Sequence, residues 1–384
     1  MVWVCLALIP VAFVISLCAV WLAGRVSRRV GALDTAPMAG QVKMDRRSIP
    51  NTGGIGIFLG IAVPIAAALG VLWLAPDQLT ARLPDIADHL EGMRDQTPRA
   101  LGLLGAMTLL HVMGLIDDRR PLGAMGKLAI MVVPALIVAW PAGPLDTRLL
   151  TMLDGHVGGA WLSVLVTVLW FVAITNAMNF IDNMDGLCAG VAFVAAACFL
   201  VAALAGGQWF VGASLALVAG SSLGFLVFNF PPAKIFMGDG GSLVLGFAMA
   251  FLTARTTYLP EGADPGQHWY ALLMPVVVLA IPLYDMLSVT LVRLSQGKSP
   301  FKGDLQHFSH RLVQRGMSGR GAVVVIYGFT LITGISGILL VWADARTAIL
   351  LGAQVAALLI VLAMFEYGSR SRGDGVDHTG HNHP

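Results

Sequence analysis

LCAGVAFVAAACFLVAALA at residues 187–205 and WFVGASLALVAGSSLGFLVF at residues 209–228 are separated only by Gly206-Gly207-Gln208. Neither run carries a charge. Each, coiled as a helix, is long enough to cross the roughly 30 Å hydrocarbon layer of a bilayer. Comparable runs recur at about 3–23, 54–75, 100–116, 124–142, 160–178, 241–258, 270–292, 322–342 and 347–367. The pattern predicts an all-α, polytopic membrane bundle of 10–11 transmembrane helices, with 100–116 and 124–142 the shortest. Composition agrees: 57% of residues are hydrophobic and 12% are charged, about half the charged share of a soluble domain. Mean hydropathy is +0.78.

The first run lacks a basic leader and is followed by Arg25, Arg28 and Arg29. That order reads as an uncleaved helix with its N-terminus outside. Counting eleven spans from there puts 25–53, 117–127, 179–186, 229–240, 293–321 and the tail on one side. Those segments hold 18 of the 24 Lys and Arg residues, which makes that side cytoplasmic. The net charge of +2 is thus a sidedness signal, not a nucleic-acid footprint. Cys5, Cys18, Cys188 and Cys198 lie in or beside the spans without framework spacing and read as small apolar residues.

The polar clusters fall on that same side. Asp117-Asp118 ends the third span. Neighbours on a helix point about 100° apart, so one carboxylate faces a reacting group while the other holds a cation or hydroxyl. Anchoring the span in the headgroups is the plain alternative. Asn176, Asn179 and Asn183 share one helical face with Asp182 close beside it, and Asp185-Gly186 follow. Amides and acids at the end of an apolar span are expensive to desolvate, and their oxygens are the hard ligands that Mg²⁺ prefers. Gly238-Asp239-Gly240-Gly241-Ser242 opens the eighth span, where exposed N–H groups can receive an anion. The last loop carries Arg293, Lys298, Lys302, His307, His310 and Arg311. Two histidines are too few for zinc, so phosphate contact or transition-state charge stabilisation is the better reading, beside attraction to anionic lipid.

Taken together these elements resemble the polyprenyl-phosphate N-acetylhexosamine-1-phosphate transferase superfamily (glycosyltransferase family 4). The resemblance runs from about 45 to 315. It rests on Pro50 with Gly53-Gly54, Asp117-Asp118, Asn176-x-x-Asn179-x-x-Asp182-x-x-Asp185-Gly186, Met237-Gly238-Asp239-x-Gly241-Ser242, and Pro282-x-x-Asp285. Arg293, Gly297, Ser299-Pro300-Phe301, Asp304, His307 and His310 complete it. The last stretch is similar to the branch that uses UDP-N-acetylglucosamine more than to the phospho-N-acetylmuramoyl-pentapeptide branch. Two positions depart: Ser309 stands where relatives usually have a third His, and Asn183 where they usually have Gly.

The resemblance implies an enzyme that moves an N-acetylhexosamine-1-phosphate from a UDP-sugar to undecaprenyl (polyprenyl) phosphate and releases UMP, at the start of a cell-envelope glycan. It implies Mg²⁺, with Mn²⁺ as a substitute, on Asn179 and Asp239. Asp117, Asp118, His307 and His310 are the implied catalytic set, and Asn176, Asp182, Asp185, Arg293 and Arg311 the substrate-binding set. Asp117 receives or excludes the proton on the acceptor phosphate, or instead orients the acceptor or helps hold the metal. A transporter or an inactive scaffold are the competing classes, and the absence of an internal repeat argues against the first. Residues 1–367 read as one catalytic membrane domain of the inner membrane, a homodimer being possible. Residues 368–384, with His378, His381 and His383, read as a disordered cytoplasmic tail.

Overall fold

The computed structural model describes residues 1–31, 33–34, 49–141, 143–256, 258, 269–299 and 307–367. Pro300, Phe301, Lys302, Asp304 and the tail 368–384 lie outside the described residues. The long helices are α1 (Val2–Arg29), α2 (Gly54–Leu74), α3 (Thr97–Asp117), α4 (Ala124–Val138), α5 (Trp161–Phe180), α6 (Leu187–Ala205), α7 (Trp209–Asn229) and α8 (Asp239–Arg255). They continue as α9 (Met274–Val278), α10 (Ala280–Ser295), α11 (Phe308–Gln314), α12 (Gly319–Leu340) and α13 (Ala345–Tyr367). A two-residue antiparallel pair, β1 (Leu33–Asp34) with β2 (Ile49–Pro50), precedes α2.

Each expected run is helical, but not every run is a full-length span. Among the described residues eight helices are long and apolar enough to cross a membrane, or nine if α9 and α10 count as one broken span. The run 270–292 is bent by 69° between α9 and α10. Pro282 explains the break, because its ring clashes with the carbonyl four residues back, at Val278. The run 124–142 ends early, at Val138, since Pro141 disfavours helical geometry in the residue before it. The run 241–258 is a 17-residue helix with Gly240 through Thr253 buried. This helix, α8, is apolar all round because protein surrounds it. The loop after α2 holds short helical pieces at Pro76–Arg82, Pro84–His89 and Leu90–Asp95.

Small residues set the closest crossings. A Cβ on Gly220 of α7 would lie 2.2 Å from the Ile9 carbonyl oxygen, and one on Gly224 2.5 Å from that of Phe13. A Cβ on Gly56 of α2 would lie 2.2 Å from Val20. Without a hydrophobic drive between helices in lipid, such backbone approach supplies the packing. The Ser16 hydroxyl adds a hydrogen bond to the Ser221 carbonyl at 2.8 Å across the same seam. Gly220→Ala is therefore expected to lower the melting temperature of the detergent-purified protein, by overpacking worth about 1–3 kcal/mol. Gly105→Ala, whose Cβ would meet nothing within 4 Å, serves as the neutral control.

The two ends of the bundle differ. Trp3, Trp73, Trp140, Trp161, Trp209, Trp269 and Trp342 all sit at or beside the same end, a placement typical of a membrane–water interface. At that end Arg148 holds Asp146 at 2.7 Å, Asp154 at 2.5 Å and the Ser163 hydroxyl at 2.9 Å. The other end gathers the carboxylates, amides and histidines singled out above. All four cysteines are free, with Cys5, Cys188 and Cys198 buried and Cys18 exposed.

Candidate active site

The floor of the site is made of glycine backbones. Gly53 and Gly54, opening α2, donate their N–H groups to the carbonyls of Phe236 and Met237 at 2.9 and 3.0 Å. A Cβ on Gly54 would sit 2.4 Å from the Gly241 nitrogen, and one on Gly114 2.3 Å from that of Gly240. The starts of α2 and α8 and the end of α3 are thus pressed together. Gly238, at φ +68°, turns the chain into α8; a side chain there would strike Asp118 and Asn51 as well as strain the backbone. His111 is a packing residue: its Nδ1 pairs with the Gly240 carbonyl at 2.7 Å while Phe58 stacks on the ring.

On this floor stands an acidic cluster. Asp117 Oδ1 accepts from the Leu122 N–H at 2.8 Å, and its Oδ2 lies 2.6 Å from Lys127 Nζ. The same ammonium reaches Asp239 Oδ2 at 2.5 Å. Asp239 Oδ1 accepts from Asn179 Nδ2 at 3.0 Å, and that amide also donates to the Ser242 hydroxyl at 2.9 Å. Asp118 Oδ1 accepts from the Asp239 N–H at 3.1 Å, while its Oδ2 is buried with no hydrogen-bond partner among the described residues. Loss of hydration raises the Asp118 pKa to about 7, helped by the Asp239 carboxylate and opposed by the Asp239 and Gly240 N–H groups and Lys127. Asp182 is pushed well above the usual carboxylate range, first by burial and then by Asp239, Asp118 and Asp185.

A second, basic constellation adjoins it. Asp285, 1% exposed, accepts from His307 Nδ1 at 2.9 Å and from the Phe308 N–H at 2.7 Å. This explains how α10 carries a carboxylate inside the bundle: it has partners. Arg311 donates to the Ser288 hydroxyl at 3.0 Å. The Arg293 guanidinium lies 5.8 Å from the centre of the Phe180 ring, whose other neighbour is His307, edge-on at 6.0 Å. His310 packs beside His307 with ring centres 6.2 Å apart. The turn that carries Phe180 and Asp182 is therefore the hinge between the two constellations.

Two of the expected substrate-binding residues also have structural partners. Asn176 donates to the Val172 carbonyl at 2.8 Å and to the Met131 sulfur at 3.3 Å, one turn below Asn179. Asp185 Oδ2 accepts from the Ala233 N–H at 2.8 Å and ties the loop before α8 to the start of α6. Asn229 reinforces that tie, taking the Gly186 N–H and giving to the Ile235 carbonyl, both at 2.8 Å. Lys127 is the residue that sequence reasoning did not single out. It stands at the head of an apolar run, where a lysine counts as one more positive-inside charge. Its position ten residues after the Asp117 pair, on the returning helix, is the signal that identifies it.

Lys127 pairs with Asp117 and Asp239, while Asp118 and Asp182 feel the Asp239 carboxylate. Among the described residues no three His, Cys, Asp or Glu side chains form a ready-made metal cage. Mg²⁺ does not require one. It commonly keeps several waters and binds one or two carboxylates together with substrate phosphates. The clustered carboxylates and the hard Asp118 oxygen, without a hydrogen-bond partner among the described residues, suit such an ion.

Fold and site together define a many-spanning membrane protein that concentrates its charge chemistry at one end of the bundle. Residues 100–257 match the family model described as glycosyl transferase family 4. A Bacillus subtilis (strain 168) protein named probable undecaprenyl-phosphate N-acetylglucosaminyl 1-phosphate transferase is 31% identical over 337 residues, 86% of this chain and 85% of that one. The decaprenyl-phosphate N-acetylglucosaminephosphotransferase of Mycobacterium tuberculosis (strain CDC 1551 / Oshkosh) is 33% identical, over 80% of this chain and 76% of its own. The undecaprenyl-phosphate alpha-N-acetylglucosaminyl 1-phosphate transferase of Escherichia coli (strain K12) is 26% identical, over 90% and 85%. The chain belongs to glycosyl transferase family 4, on the branch of the GlcNAc-1-phosphate transferases, and is an enzyme of the phosphotransferase class.

Proposed function

We propose that this enzyme transfers N-acetylhexosamine-1-phosphate, GlcNAc-1-phosphate foremost, from a UDP-sugar to undecaprenyl or another polyprenyl phosphate. UMP is released and a cell-envelope glycan is begun. The observation that carries the reading is the Lys127 ammonium held between Asp117 and Asp239, with Asn179 behind and Asp118 beside them. Such a surface would suit a pyrophosphate through a divalent cation held between its carboxylates and the phosphates, and the relatives' names supply the substrate class. The positive-inside bias supports a cytoplasmic face for this end, where a nucleotide sugar would reach it.

In the reaction a phosphate oxygen of the lipid attacks the sugar-bearing β-phosphorus. The bond from that phosphorus to the bridging oxygen breaks, and UMP departs with the electron pair. Catalysis of this type is positioning and charge neutralisation. Asp239 and Asn179 would hold Mg²⁺, which when bound supplies positive charge to the pyrophosphate. Lys127 offers a second, fixed positive charge. Asp117 has both oxygens engaged, by Leu122 and Lys127, which favours orientation over proton uptake, since the lipid phosphate is already largely ionised near neutral pH. Asp118 and Asp182 shape the cation environment, and Arg293, His307, His310 and Arg311 meet the phosphates or the sugar.

The test is UMP release by detergent-purified protein given undecaprenyl phosphate, Mg²⁺ and a panel of UDP-sugars. Lipid-dependent release from UDP-GlcNAc, lost on chelation, is the expected outcome. Release from UDP-N-acetylmuramoyl-pentapeptide alone would move the enzyme to the other branch, and no release from any donor would overturn the reading.

A further inference from the structure

The two positions that depart from the family pattern, Asn183 and Ser309, are in direct contact although 126 residues apart in the chain. The Ser309 hydroxyl donates to Asn183 Oδ1. Asn183 Nδ2 donates to the Phe180 carbonyl at 2.7 Å and lies 3.5 Å from Asp285 Oδ2. That carboxylate oxygen is the one that accepts from His307 Nδ1, and its twin accepts from the Phe308 N–H. One amide therefore links the last carbonyl of α5, the acid of α10 and the hydroxyl of α11.

Volume couples the two positions further. Ser309 is 1% exposed, so an imidazole there has no room while the Asn183 amide stays in place. A glycine at 183 would vacate that space but, with Ser309 retained, leave its buried hydroxyl without its acceptor, a costly state. Each residue makes sense only with the other.

We propose that Asn183 and Ser309 are a matched positioning pair that sets the His307 imidazole against the Asp182 turn, and that they exchange for Gly and His only together. The pair acts through Asp285 and His307, not on substrate. The inference rests on the transferase reading, because His307 is taken to meet the donor.

The experiment measures kcat and donor KM for wild type, Asn183→Gly, Ser309→His, the double variant and Ser309→Ala. Ser309→Ala removes one hydrogen bond without adding volume, and is expected to lower kcat about tenfold with donor KM little changed. Ser309→His is expected to lower kcat about a hundredfold through overpacking. Asn183→Gly/Ser309→His is expected to return to within about fivefold of wild type, a coupling far outside additivity. Should Ser309→His alone fail to fold, the comparison of Asn183→Gly with the double variant still decides. A double variant at or below the product of the single losses would overturn the pair while leaving the transferase intact. A wild type that transfers nothing would overturn the function instead. The pair is then judged from melting temperatures of the same proteins, where additive shifts refute it.

Discussion

Asp239→Asn is expected to cut transfer by about a thousandfold, some 4 kcal/mol in the barrier, in a protein that still folds. The substitution is isosteric, so the close packing of Gly240 and Gly241 against α3 and α2 is undisturbed. The electrostatics change completely. Asp239 accepts from Asn179 on one oxygen and Lys127 on the other. An amide in its place must turn an NH₂ toward one of these donors, and the cluster loses the charge that centres Lys127. The loss should appear in kcat more than in donor KM, because the charge is needed most as the leaving group departs. Initial rates of UMP release with a thermal melt of the same preparation check this. Activity above one tenth of wild type in a folded protein would remove Asp239 from the chemistry.

Lys127→Met is expected to cost about a hundredfold or more in kcat/KM, with a smaller but real loss of stability. Its ammonium stands between two carboxylates, at 2.6 Å from Asp117 and 2.5 Å from Asp239. Removing one partner from a half-buried ion cluster leaves the others uncompensated, which is worse than never having built it. Asp117, Asp118 and Asp239 would then repel across the end of α3. Lys127→Arg keeps the charge but replaces a compact ammonium with a planar fork, so partial recovery is expected. Equal activity in Lys127→Met and wild type would show that Lys127 is only a headgroup anchor. Donor KM, kcat and the Mg²⁺ concentration for half-maximal rate, measured for all three proteins, separate these outcomes.

Much of the architecture was legible because lipid imposes a simple rule. A backbone in hydrocarbon must satisfy its own hydrogen bonds, so a charge-free run of about 20 residues reads directly as a helix. Proline was the exception the hydropathy reading passed over. Pro282 and Pro141 leave the apolar character of their runs intact while breaking or ending the helix, so among the described residues the expected 10–11 runs include one bent pair and the shorter α4 beside eight full spans and the 17-residue α8. The acidic half of the site was legible for a similar reason, since Asp117, Asp118, Asn179, Asp182 and Asp239 are too polar to stand at span ends without purpose. Partners were not legible. Nothing in the order of residues tells that Asp185 accepts from the Ala233 N–H, or that Asn176 faces Met131.

The sequence by itself determined an all-α membrane bundle, the span ends where its polar chemistry stands, and the family, because burial in lipid and the spacing of acids and amides are local properties of the chain. Only the tertiary structure decided which of those groups meet. It brought Lys127 between Asp117 and Asp239, paired Asp285 with His307, and joined Ser309 to Asn183. The reason is that ion pairs and hydrogen bonds act over a few ångströms, while their partners here lie as far as 126 residues apart. Close packing of α2, α3 and α8 at glycine backbones, not sequence proximity, brings Asp239 to the end of α3.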